Sequence, residues 1–230
     1  MAEKIVLPMR INRYLELSGV ATRRGADDLI KKRLVTVNGQ PAVLGYLVKA
    51  GDKVEVLAGA AALAPAPVYL AYHKPRGIAT EAIVKLQKFD KDLFPLGRLD
   101  KESEGLIILT NDGRITNRLL NPKFNHEKEY EVETREKVAP MVKKILVGGV
   151  VSLGEKLSAK TVEIIDSRRL RLVLTSGRKH QIRRMLDGAR LTVASLRRVR
   201  MMNVSLGRLR PGQSRALVGQ ELKDFLAMLY

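Results

Sequence analysis

Residues 59–67 read GAAALAPAP, and this stretch constrains the fold before anything else does. It holds only Gly, Ala, Leu and Pro, shows no periodic apolar face, and carries two prolines spaced by one residue. Such a run reads as a semi-rigid linker, with an irregular loop inside one domain as the alternative. A chain of 230 residues accommodates two unequal domains, here 1–58 and 68–230. Apolar residues at 45% are enough to build a core in each, so long disordered regions are not expected. No internal repeat or low-complexity tail is visible.

Charge and absences narrow the function. The formal net charge is +18, divided as +4 up to Pro67 and +14 beyond it. That imbalance points to a polyanionic partner, either a nucleic acid or an acidic membrane. The longest uncharged stretch, Leu57 to His73, contains Pro65 and Pro67, and its apolar part is too short to span a bilayer. The opening MAEKIVLPMR lacks the apolar centre of a signal peptide. The chain has no cysteine, which excludes a disulfide scaffold, a thiolate zinc site, an iron–sulfur cluster and a cysteine nucleophile. The three histidines, 73, 126 and 180, are far apart in sequence, so no metal site is expected. A cytoplasmic location follows as the default expectation.

Before the linker, Ile11, Leu15 and Val20 mark one face of a first helix. Thr22 is placed to cap a second helix carrying Leu29, Ile30 and Leu34. Asn38-Gly39 between alternating apolar residues predicts a hairpin, because both turn positions need positive φ. A strand over Lys53 to Leu57 follows the Gly51-Asp52 turn. Arg10, Arg13, Arg23, Arg24, Lys31, Lys32 and Arg33 cluster here, as a solvated face or as contacts to phosphate. The segment RINRYLELSGVATRRGADDLIKKRLVTVNG resembles the S4-like RNA-binding module. That family usually completes a capping box with Glu three residues after the cap, where this chain has Gly25.

After the linker, FPLGRLDKESEGLIILTNDGR (Phe94 to Arg114) is the most informative stretch. Leu106 to Leu109 predicts a buried strand, Asn111-Asp112-Gly113 a turn, and Arg114 to Leu120 the start of a helix. Asp100 stands beside Arg98 at the mouth of that strand, where a carboxylate is costly to bury unless paired. On the residues alone it is either a loop salt bridge or a functional acid.

Four motifs in order resemble the RsuA-type rRNA pseudouridine synthases. They are YLAYHKPRGIAT (Tyr69 to Thr80), GRLDKESEGL around Asp100, EKEYEV (Glu127 to Val132) and LTSGRKHQIRRM (Leu174 to Met185). The tail RRVRMMNVSLGRLRPGQSR is similar to the RluF-like branch, which acts on large-subunit (23S) rRNA. The resemblance implies an α+β chain. An S4-like domain of two helices and short strands is joined to a catalytic domain with a central mixed, mostly antiparallel sheet and flanking helices.

It also implies the chemistry, which breaks the N1–C1′ bond of a uridine, turns the base and joins C5 to C1′ without a cofactor. Asp100 is the implied catalytic carboxylate, either attacking C1′ or removing the C2′ proton. Arg183, in the His180-Gln181-Ile182-Arg183 segment, is the implied cation holding it ionised, with a phosphate contact as the alternative. Tyr130 is the implied stacking partner of the everted base, and stacking recovers about 1–3 kcal/mol of the unstacking cost. Lys128 shares its strand face. Arg98 is expected to hold backbone or to fill the space the base leaves, and His180 and Gln181 to support the site.

From Arg168 to Arg215 there are 14 basic residues and one acid, Asp187. Arg169 and Arg171 alternate with Leu170, Leu172 and Leu174, predicting a strand apolar on one face and largely cationic on the other. Arg178, Lys179, Arg184, Arg197, Arg198 and Arg200 are expected to meet RNA phosphates, giving marked salt dependence. Aromatic residues at 4% argue against a single-strand stacking platform and for recognition of folded RNA. The expected partner is rRNA, free or in an assembly intermediate, with tRNA as a secondary target, no membrane contact, and a monomer. Two competitors remain: a non-catalytic RNA-binding or ribosome-assembly protein, and a metal-dependent nuclease using Asp100, Glu104 and Asp112.

Overall fold

A computed structural model describes residues 5–57, 66–87, 89 and 92–230. Most of the expected linker, 59–65, lies outside the described residues. The chain separates into two compact units, Met1–Pro67 with Asp112–Asn117, and Val68–Asn111 with Arg118–Tyr230.

The first unit runs β1 (Met9–Arg10), α1 (Ile11–Leu17), α2 (Arg23–Lys31), β2 (Val35–Val37), β3 (Gln40–Pro41), β4 (Leu47–Val48) and β5 (Val54–Val56). Ile11 and Leu15 of α1, Ala26, Leu29 and Ile30 of α2, and Val35 and Val37 of β2 form one buried cluster. Val20 does not join it. The residue lies three positions beyond the end of α1 and is exposed, because Gly19 at φ +74 turns the chain out of the helix. Leu34 likewise falls after α2, with Arg33 at φ +57 making the exit turn. Thr22 caps α2 by accepting from the Gly25 backbone N–H at 3.1 Å, so the cap forms without the Glu of a capping box. Asn38 and Gly39 take φ +51 and +78, the double positive turn that closes β2 on β3.

The second unit is built on a nine-stranded sheet. Its elements are β6 (Tyr69–Lys74), α3 (Ile83–Leu86), β7 (Phe94–Leu96), β8 (Glu104–Thr110), α4 (Thr116–Leu120), β9 (Lys128–Thr134), α5 (Met141–Gly148), β10 (Val150–Ser152), β11 (Glu155–Leu157), β12 (Thr161–Ile164), β13 (Arg169–Leu174), α6 (Gln181–Gly188), β14 (Val193–Met201), β15 (Val204–Ser205), β16 (Ser214–Ala216) and α7 (Gly219–Ala227). The order along the sheet is β12-β13-β9-β14-β8-β6-β16, with β15 on β14 and β7 on β8. Only β14 and β8 run parallel; the other pairings within this sheet are antiparallel. Thus the fold is mixed and mostly antiparallel. Leu106 to Leu109 are fully buried, as their unbroken apolar run predicts for a strand covered on both faces. Tyr130, Val132, Leu170, Leu172 and Leu196 face α5 and α6 through Val142, Leu146, Ile182, Met185 and Leu186.

The opposite face of β9, β13 and β14 is not the cationic surface that the sequence suggested. Glu129, Glu131 and Glu133 of β9 and Glu163 of β12 stand among the arginines. Arg171 reaches Glu129, Glu131 and Glu163 at 3.3, 3.2 and 3.2 Å. Arg197 pairs with Glu131 at 2.6 Å, Arg200 with Glu127 and Glu129 at 3.1 and 2.7 Å, and Arg169 with Asp166 at 2.6 Å. For Arg171, Arg197 and Arg200 the physical reason is cross-strand register, which lands acids from the neighbouring strands opposite them, while Asp166 meets Arg169 from the preceding turn. Arg197 and Arg200, expected on RNA phosphates, are engaged in this ladder.

Candidate active site

Asp100 sits at the start of a tight turn, its carbonyl accepting from the Ser103 N–H at 3.0 Å. Three contacts fix that turn. Thr80 grips the preceding residue from both sides, its Oγ1 donating to the Leu99 carbonyl at 2.8 Å and accepting from the Leu99 N–H at 3.1 Å. The Gly77 N–H donates to the Lys101 carbonyl at 2.8 Å. Arg183 Nη2 donates to the Glu102 carbonyl and to Ser103 Oγ, each at 3.4 Å. The Asp100 side chain itself is 38% exposed. A carboxylate is therefore held on a rigid turn with one side open.

Arg183 does not pair directly with Asp100. Among the described residues, the basic side chain nearest the Asp100 carboxylate is the His180 imidazole, with Nε2 3.6 Å from Oδ1. His180 precedes α6 in a left-handed conformation, φ +52, which turns its ring out of the helix direction. Arg183, one turn into α6, projects instead onto the turn that carries Asp100. Gln181 is buried and structural: its Oε1 accepts from Ser176 Oγ and the Arg178 N–H at 2.9 and 3.0 Å, closing the turn before α6. Arg98 is exposed and pairs with Glu81 at 2.8 Å. Tyr130 is 8% exposed and lies in the buried cluster that also contains Leu99, the neighbour of Asp100.

Sequence reasoning passed over Lys74, which was seen only as part of a Lys-Pro-x-Gly turn. It is fully buried at the end of β6, and its ammonium donates to the carbonyls of Pro75, Ile78 and Lys101 at 2.8, 2.7 and 3.4 Å. Burial pulls its pKa down, while Asp100, Glu102 and Glu104 oppose that. The strand registers put Lys74, Gly105, Arg198, Tyr130 and Leu172 in one row across five strands. Gly105 is obligatory in that row. At φ +110, an added Cβ would stand 2.3 Å from the Arg198 carbonyl oxygen.

Comparison with known proteins decides the family. The family model described as RNA pseudouridylate synthase matches residues 68–187, and the S4 domain model matches residues 9–54. A protein of Salmonella typhi named dual-specificity RNA pseudouridine synthase RluF is 36% identical over 229 residues, covering 96% of this chain and 79% of the relative.

The chain belongs to the RNA pseudouridylate synthase family.

A Bacillus subtilis (strain 168) relative, ribosomal large subunit pseudouridine synthase B, is 31% identical, covering 95% of this chain and 96% of its own. A solved structure titled "Crystal structure of pseudouridylate synthase" shares the fold. Its TM-score is 0.70 at 24% identity, covering 96% of this chain and all of its own. The activity of this synthase is therefore isomerisation of uridine in RNA.

Its remaining basic residues divide by what they touch. In the S4 domain, Arg13 and Arg23 both engage Glu16, and Lys31 lies 3.9 Å from Asp28. Arg10, Arg24, Lys32 and Arg33 are exposed, with no carboxylate partner among the described residues. In the synthase domain Lys179 is exposed, and Arg178 lies 3.9 Å from Glu155. Arg184 is tied to Glu155 at 2.9 Å and to the Ser152 carbonyl, so it fastens α6 to the β10–β11 hairpin instead of facing solvent. Arg198 is not on the surface at all. It is 2% exposed and its Nε donates to the Leu106 carbonyl at 2.6 Å, because strand alternation puts it on the Leu196 face opposite Tyr130, and the bulge after it returns Arg200 to the other face. Among the described residues no three His, Asp or Glu converge to hold a metal ion, and Asp112 is held by Arg114 at 2.7 Å. No helix among them is long and apolar enough to cross a membrane.

Proposed function

We propose that this synthase converts a specific uridine of ribosomal RNA, of the large subunit (23S), to pseudouridine, with Asp100 as the acting carboxylate. The observation that carries this is the Asp100 turn. It is pinned through Leu99, Lys101, Glu102 and Ser103, yet its carboxylate stays half-open beside His180. Such preorganisation suits a group that must meet one ribose carbon in an everted nucleotide. The large-subunit assignment draws on the name of the Bacillus subtilis relative and on the RluF-like tail. The word "dual-specificity" in the Salmonella typhi relative's name supports tRNA as a secondary target.

Two routes are open to Asp100. It attacks C1′ and displaces uracil, then is itself displaced by C5; or it takes the C2′ proton, uracil leaves as the C1′–C2′ double bond forms, and C5 adds to C1′ as the proton returns. In both, C5 finally gives up its proton and N1, which left with the bond's electron pair, takes one up. Tyr130, in the buried cluster that also holds Leu99, is the stacking partner of the everted base, and Arg183 holds the turn from the α6 side. The domains are 1–58 for RNA docking and 68–230 for catalysis, joined by 59–67. The protein works in the cytoplasm as a monomer.

Pseudouridine mapping of rRNA from cells with and without the gene tests the reading. One large-subunit position should lose its signal. Asp100→Asn should abolish product while the Kd for RNA stays within about threefold, as expected when a group acts in the transition state only. Unchanged rRNA in the deletion strain, or an active Asp100→Asn protein, refutes it. Product formation that persists in EDTA separates this function from a metal-dependent nuclease.

A further inference from the structure

Beyond Tyr130, on the same face of β9 and β14, lie two cations that the catalytic roles above leave unused. Lys128 is two residues before Tyr130 on β9, and Arg198 is paired directly opposite Tyr130 on β14. The alternation of a strand puts Lys128 on the Tyr130 face, diagonal to Arg198. Among the described residues, neither has a carboxylate partner. Lys128 Nζ reaches only the carbonyl of His126, at 3.5 Å. Arg198 spends Nε on the Leu106 carbonyl, and its Nη2 is buried without any partner. Two residues before Lys128, the His126 ring also keeps a buried Nε2 without a partner. All acids nearby on β9 point the other way: Glu127 to Lys160 and Arg200, Glu129 to Arg200 and Arg171, Glu131 to Arg197 and Arg171.

Two positive groups set side by side in a partly buried place, with an orphaned guanidinium N–H between sheet and core, lack a counter-charge. The same proximity lowers the pKa of Lys128, with burial as the larger cause and Arg198 as the second. An anion at the half-buried Lys128 ammonium would supply the missing counter-charge, with the Arg198 guanidinium, itself 2% exposed, adding its field from behind without touching the anion. We infer that Lys128, backed by Arg198, forms an anion subsite that takes one backbone phosphate flanking the target uridine. The inference rests on the RNA substrate proposed above. Its position two residues from Tyr130 gives it a purpose: it would hold the backbone at the point where the nucleotide swings out, so that eversion presents C1′ to Asp100.

The test uses the full chain and a transcript of 23S rRNA. For Lys128→Gln, Kd should rise about tenfold, and the slope of log K against log salt should become shallower by about 0.7–0.9, the signature of one lost phosphate contact. Lys128→Arg should keep the slope. Far-UV circular dichroism and the melting temperature establish that each variant folds. A second arm needs no variant: on the wild-type protein, a synthetic RNA carrying the mapped uridine with a methylphosphonate on one side should lose the same factor, at one of the two flanking positions only. Unchanged slope and Kd for Lys128→Gln, a slower reaction at unchanged slope, or indifference to methylphosphonate at both positions overturns the subsite. These are binding readouts. If the wild type makes no pseudouridine in any rRNA, it is the proposed function that fails, and the salt slope still reports on the subsite.

Discussion

Replacing Lys74 with Met removes a buried cation and keeps its length, and the outcome separates a scaffold role from a passive one. The carbonyl oxygens of Pro75 and Ile78 lose the ammonium as donor, and that of Lys101 loses the longer of its two donors while keeping the Gly77 N–H. A carbonyl left unpaired costs about 1–3 kcal/mol. Part of this is offset, since Met spares the cost of burying an ammonium. The expected net destabilisation is about 2 kcal/mol, read by urea denaturation followed by circular dichroism, as the chain has no Trp. The turn bearing Asp100 is held partly through the Lys101 carbonyl, so kcat should fall by about 10–100-fold with RNA affinity nearly unchanged. The pH dependence is distinctive. Burial sets the folded pKa of Lys74 below its ordinary value of 10.5. Between the two values the unfolded chain binds the extra proton, so wild-type stability relative to Lys74→Met rises as pH climbs through that window and is flat below it. A Lys74→Met protein as stable and as active as the wild type, with no such pH difference, would refute the scaffold role.

Two further substitutions probe the sheet. Gly105→Ala places a methyl 2.3 Å from the Arg198 carbonyl oxygen and forces an L-residue into φ +110. It should destabilise by about 3 kcal/mol or more, or prevent soluble expression, as measured by thermal melts. Arg171→Ala cuts three ion pairs at the partly exposed ladder. Surface pairs contribute little, so stability should drop by less than about 1 kcal/mol, and RNA affinity should change less than twofold. A tenfold loss of affinity in a filter-binding assay would mean that this face meets RNA after all.

Much of this structure was legible because its signals are local. Thr22, Asn38-Gly39 and the run Leu106 to Leu109 dictate a cap, a turn and a buried strand from neighbouring residues alone. Most of what was not legible is long-range. Arginines at 171, 197 and 200 count as free charge in the sequence, but their acids sit on or just before β9 and on β12 and become partners only through register, whereas Arg169 finds Asp166 in the preceding turn. Arg198 reads like its neighbours; alternation from Leu196 points it inward, and the bulge that follows turns Arg200 back out. Lys74 resembles any solvent-facing lysine until the turn it closes is seen. The direct pairing of Arg183 with Asp100 was expected from the motif, whereas the helix start at His180 interposes the imidazole and leaves the guanidinium on the backbone of the turn.

The position of β14 has a consequence for biogenesis. It is made after both strands it separates, β8 and β9, and it alone joins them. During synthesis those two half-sheets wait with open, apolar edges, which are prone to mispairing with other chains. Arg198, arriving with β14, stands opposite Tyr130 and anchors on Leu106. A nascent or clipped chain lacking this strand would therefore be a sticky and inactive species, and catalytic competence would switch on in one late closure step.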